Sequence, residues 1–104
     1  VRPVKVSFTE SGGLVPIWRG CAVDTDSLSA GDAVQLRELV ASSGIAGLRD
    51  LRLKGGADYH TISIDIKGEG LDHRVVIDLP LAPPAAQPLI RFLRARSRNL
   101  LAES

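Results

Sequence analysis

Cys21, His60 and His73 are the side chains best suited to act as nucleophile, base or soft metal ligand, and their placement argues against all three uses. A single cysteine forms neither an internal disulfide nor a four-cysteine zinc site. The period-two pattern puts Cys21 on an apolar strand face with Val15, Ile17 and Val23, the setting of a structural thiol rather than an activated one. His60 and His73 fall near opposite ends of the two strands of one expected hairpin. With Lys67 opposite Asp72, His73 faces Ile66 and His60 faces Leu79, roughly 20 Å apart at the usual rise per residue, too far for a shared metal. Asp24, Asp26 and Asp32 lack the central glycine and terminal glutamate of a calcium loop and read as capping residues. Gly12-Gly13 and Gly55-Gly56 lack the lysine and helix start of a phosphate loop and read as turns. Arg91, Arg94, Arg96 and Arg98 read as the solvated, dipole-matched end of a helix. No catalytic residue, metal site or cofactor is therefore expected, and the chain does not read as an enzyme.

What remains is the stretch from Glu10 to Trp18, where two glycines are followed closely by Leu14, Val15, Pro16 and Trp18. Parity sends Trp18 away from the face of Ile17 and Cys21, together with Gly20 and Ala22; Arg19 is the exception on the apolar face. A tryptophan near a hairpin tip is either covered by another element or free to anchor a partner.

These residues need a scaffold, and the composition allows one. The 104 residues fit a single domain, 1–104, and 44% apolar with 24% charged residues is a globular balance. Aromatics are 4%, so the core must be aliphatic. A formal net charge of +1 argues against a generic polyanion binder, and no apolar run spans a membrane, which leaves nucleic acid and membranes out as expected partners. The lone cysteine and the missing leader point to the cytoplasm, or to secretion where a leader has been trimmed.

Val4–Thr9 alternates as a strand, Glu10-Ser11-Gly12-Gly13 breaks it, and Leu14–Thr25 returns as its hairpin partner. Ser29 or a neighbour caps a helix from Ala30 to Ser42 with the stripe Ala33, Leu36, Leu39, Val40, Ser43, and Gly44 stops it. Ile45–Leu53 is compatible with a loop, a turn of helix or a brief strand. Tyr59–Lys67 is a strand with His60, Ile62, Ile64 and Ile66 on one face; Asp72–Leu79 is its partner, carrying His73, Val75, Ile77 and Leu79. Pro80, Pro83 and Pro84 then lead into a last helix, about Ala85–Arg98. The order β-β-α-β-β-α predicts an α+β fold: two β-hairpins form an antiparallel sheet with both helices on one face.

Several of these strings, in this order and spacing, resemble the emfourin family. They are Glu10-Ser11-Gly12-Gly13-Leu14, Val23-Asp24-Thr25-Asp26-Ser27-Leu28, the Asp58-Tyr59 strand start, His73-Arg74-Val75, and the proline-rich entry to a Leu89–Leu93 helix. The resemblance spans about Val4 to Arg96. Pro16 and Trp18 depart from the glycine and the polar or basic residue expected there, and Ala41–Leu48 lacks the expected aromatics. Emfourin-like proteins are small bacterial inhibitors of thermolysin-like zinc metallopeptidases, so the resemblance implies such a peptidase as partner and occlusion of its cleft as mechanism. On that basis Glu10, Ser11, Gly12, Gly13, Leu14, Val15 and Trp18 are the expected partner-binding residues. Leu14, Val15 or Trp18 would fill an apolar specificity pocket, and Glu10 would reach the metal or a cationic subsite. A non-inhibitory protein-binding module is the alternative, and a thiol enzyme pairing Cys21 with a histidine is the third reading.

Overall fold

The computed structural model describes residues 3–12, 17–53, 59–68 and 70–99. Strand β1 (Lys5–Gly12) buries Val6, Phe8 and Glu10 and exposes Lys5 and Ser7, the alternation its sequence demands. It runs on through Glu10 and Ser11, where a break was expected, and ends at Gly12 with φ 101°, a value that favours glycine. Strand β2 (Ile17–Asp24) pairs with it antiparallel, Phe8 opposite Cys21 and Glu10 opposite Arg19.

Helix α1 (Ala30–Ser43) begins where Ser29 Oγ accepts the Asp32 amide at 3.2 Å and ends at Gly44, φ 71°. Its buried residues, Ala33, Leu36, Val40 and Ser43, follow helical spacing. Ile45–Leu53 combines two of the three possibilities: a 3-10 turn at Ile45–Gly47, then an extended piece whose Leu51 makes a parallel bridge to Ile77.

Strands β3 (His60–Gly68) and β4 (Leu71–Asp78) form the second hairpin in the expected register, Lys67 opposite Asp72 and Ile66 opposite His73. Leu79 leaves the strand and opens a 3-10 turn, Leu79–Leu81, because Pro80 has no amide to give the ladder. The last helix is shorter than its sequence implies. A 3-10 turn at Pro84–Ala86 leads into α2 (Gln87–Arg94). The helix tightens and stops there: the Arg96 amide and Ser97 Oγ both donate to the Leu93 carbonyl, and the Ser97 amide donates to Arg94. Arg98 and Asn99 then form β5 against Gly20 and Arg19.

The five strands lie in the order β4-β3-β1-β2-β5, every pairing antiparallel. The first strand is thus the middle of the sheet and joins the two hairpins. Val4, Val6, Phe8, Ile62, Ile64, Ile66, Val75 and Ile77 from the sheet pack with Leu36, Val40, Ile45, Leu89, Ile90 and Leu93 from the helical layer in one aliphatic core. Each large side chain buried there contributes roughly 1.5–3 kcal/mol. The fold is α+β with both helices on one face of an antiparallel sheet, as its alternation requires. No helix among the described residues is long and apolar enough to cross a membrane.

Candidate functional site

Along β1 the inward positions are Val4, Val6, Phe8 and then Glu10, so the pattern that builds the core also drives a carboxylate inside. Glu10 is 0% exposed. A buried charge needs partners, and three elements supply them. Arg94, the last residue of α2, donates from Nε to Oε1 at 2.9 Å and from Nη2 to Oε2 at 3.2 Å, a two-pronged grip. Arg19, directly across on β2, donates from Nε at 3.1 Å, and His60 at the start of β3 donates from Nδ1 at 2.8 Å. The ionised carboxylate only accepts, so His60 carries its proton on Nδ1 here. Burial alone would raise the Glu10 pKa; the hydrogen bonds from Arg94, then His60 and Arg19, outweigh it and hold the carboxyl at about 2. The network ties β1, β2, β3 and α2 together beneath the hairpin tip.

On the opposite face, the registers set Trp18, Ser11, Thr61 and Asp78 in one row across four strands. Trp18 is 50% exposed, so no described element covers it. At the other end of the row Asp78 is buried and accepts the Leu53 amide at 2.6 Å and Thr61 Oγ1 at 2.8 Å, with Arg52 at 3.3 Å. The Leu53 amide leads in holding its pKa below the usual carboxylate range. Gly12 sits where a Cβ would come within 3.0 Å of the Tyr59 carbonyl, so the hairpin meets the approach to β3 almost backbone to backbone.

Of the residues expected to bind a partner, Ser11 and Gly12 end β1 and Trp18 stands exposed on β2, while Gly13, Leu14 and Val15 lie outside the described residues. Glu10 corrects one expectation: it faces the helices, engaged by Arg94, Arg19 and His60, and does not extend from the tip toward a metal. Arg94 corrects another, since it is the buried carboxylate's partner rather than a solvated helix end. Arg96 is likewise engaged, with Asp32 at 3.1 Å and with its guanidinium 3.7 Å above the Phe92 ring. His73 Nε2 bonds the Leu48 carbonyl at 2.7 Å, so both histidines have structural duties. Cys21 Sγ lies 3.4 Å from the Leu93 carbonyl, and burial pushes its thiol pKa up, the reverse of what a nucleophile needs. Asp24 accepts the Asp26 amide at 2.9 Å in a local turn ahead of α1, whose cap is Ser29, and of the three aspartates only Asp32 lies in the first turn of the helix.

A family model, Emfourin, matches residues 8–94. The chain belongs to the Emfourin family. The matched stretch begins at Phe8 in the central strand and ends at Arg94, so it contains every member of the Glu10 network as well as the tip. No curated protein and no solved structure matches the chain. Emfourin membership suggests a metallopeptidase-inhibitor role, and an inhibitor needs a rigid contact surface rather than catalytic groups of its own.

Proposed function

We propose that this protein inhibits a thermolysin-like zinc metallopeptidase by lodging the β1–β2 hairpin tip in the active-site cleft. The observation that carries the reading is the contrast across the hairpin base: Trp18 is half exposed on one face while Glu10, on the other, is clamped by Arg94, Arg19 and His60. A cleft that prefers bulky apolar side chains would take Trp18, or Leu14 and Val15 from the tip itself, with Ser11 and Gly12 at its margin. Glu10 acts as a positioning residue: by fixing the hairpin base it reduces the ordering cost when the tip is gripped.

The test is titration of thermolysin with this protein while following cleavage of a fluorogenic peptide. Near-stoichiometric loss of activity supports the reading. Undiminished cleavage by thermolysin and by the thermolysin-like peptidase of the same organism overturns it in favour of a non-inhibitory binding module.

A further inference from the structure

The sheet ends on one side in β4, and there its main chain is half covered. Val76 and Asp78 turn their main-chain groups away from β3. The Val76 carbonyl accepts the Leu51 amide at 2.9 Å, and the Asp78 amide donates to the Leu51 carbonyl at 2.7 Å. The Val76 amide donates to Asp50 Oδ1 at 2.9 Å. Below that point the covering segment leaves the edge, and the Leu48 carbonyl meets the His73 ring on the helical side. The two-residue period gives the amides and carbonyls of Arg74 and Asp72 the same outward direction. Among the described residues nothing bonds them there. The other side of the sheet is better closed. The Thr25 amide bonds Val4, so the same period turns Gly20, Ala22 and Asp24 away from β1. Arg98 covers Gly20, and the Asp24 carbonyl accepts the Ser27 amide, which leaves a gap at Ala22.

We propose that β4 pairs antiparallel with β4 of a second copy of this chain, about a two-fold axis at His73. In that register Arg74 of each copy exchanges main-chain hydrogen bonds with Asp72 of the other, and both open residues are satisfied. The charges select this register. Arg74 and Asp72 are exposed and share the sheet face away from the helices, with Asp65 beside Arg74 and Lys67 beside Asp72 on β3. Across the axis each row runs Asp65, Arg74, then Asp72 and Lys67 of the second copy, so the signs alternate. A shift by two residues in either direction sets Arg74 against Arg74 or Asp72 against Asp72, like charges directly opposed. Charged side chains on an edge usually deter pairing. Here opposite signs two residues apart make the edge complementary to itself. At Ala22 the same operation satisfies one residue in each copy, and a longer strand runs into Arg98. The contact is smaller than the roughly 1,200 Å² of a standard interface, so association is weak and depends on concentration. The joined sheet carries its two Trp18 corners at opposite ends, both open, and the inference does not depend on the inhibitor reading.

Sedimentation equilibrium and amide hydrogen exchange of the full chain, from about 10 μM to about 1 mM at low ionic strength, test it. A monomer–dimer equilibrium in which the Asp72 and Arg74 amides gain protection as concentration rises supports the pairing. Arg74→Asp and Asp72→Arg should each weaken self-association by at least about tenfold, because each sets like charges opposite one another. Mixing the two variants should restore a dimer, since an acidic edge then meets a basic one. Cooperative urea unfolding shows that each variant is folded. A monomer throughout the concentration range overturns the proposal. So does a dimer that protects the Ala22 amide instead, or one that both variants form as readily as the native chain.

Discussion

Glu10 and Arg94 lie 84 positions apart in the sequence, and their side chains meet in a paired hydrogen bond of 2.9 and 3.2 Å. The end of the last helix thereby holds the base of the first hairpin. Removing the carboxylate leaves the guanidiniums of Arg94 and Arg19 crowded without their anion. Glu10→Ala should lower stability by up to about 3 kcal/mol, the lower end for a broken buried pair because the arginine sides reach solvent. Urea denaturation measures it, and a loss under about 0.5 kcal/mol would show that the network contributes little.

The same carboxylate governs the acid limb of stability. Its pKa falls from 4.5 to about 2 on folding, so its contribution is complete above pH 4.5 and is lost as pH drops toward 2. Urea midpoints of the native chain should decline across that window, with Asp78 adding to the fall from its own lowered pKa. Glu10→Gln should flatten the decline. Parallel pH profiles for the two proteins would contradict the assignment.

Trp18→Ala should separate binding from folding. Trp18 is half exposed, so its removal should change the urea midpoint by no more than about 0.5 kcal/mol. As an anchor in an apolar pocket it should weaken inhibition by at least about 2 kcal/mol, roughly thirtyfold in the inhibition constant. An unchanged constant removes Trp18 from the contact.

Gly20 is buried in β2, and a Cβ there would be driven into the Phe8 carbonyl of the adjacent strand. Because the obstacle is backbone, it cannot swing aside. Gly20→Ala should destabilise by about 1–3 kcal/mol through displacement of β2 from β1. Thermal unfolding checks it, and a wild-type melting temperature would mean that the strands separate freely.

Cys21 should resist alkylation by iodoacetamide in the folded chain and react fully in urea, given its raised pKa and its contact with Leu93. Rapid labelling without denaturant would contradict the structural role of this thiol.

Much of the fold is legible because its signals are local. Alternation fixes both hairpins and their parity, and Ser29 and Gly44 mark the ends of α1. The errors come where distant groups decide. Glu10 looks like part of a turn when read with its glycine neighbours, yet its parity with Val6 and Phe8 already points inward. Arg19 and His60 share that inward parity, which is the available clue to a buried ion network. Arg94 offers no such clue: only the packing of α2 brings it near, and nothing local shows that the helix stops there or that Arg98 becomes a strand. Ile45–Leu53 is illegible for a similar reason, because its extended half exists by pairing with β4. The Trp18 position follows from parity, whereas its exposure depends on what the rest of the chain leaves uncovered.

The central place of β1 in the sheet bears on how the molecule is made. During synthesis the β1–β2 hairpin emerges early, yet one long edge of β1 finds its partner only when β3 has left the ribosome, and the Glu10 carboxylate waits longer still for Arg94. Closure of the structure is thus a late, non-local event, the high-contact-order regime in which folding is slow. Until then the nascent chain carries an open strand edge and an incompletely neutralised acid at its core, and chaperones or rapid completion of translation would matter most for this protein in that interval.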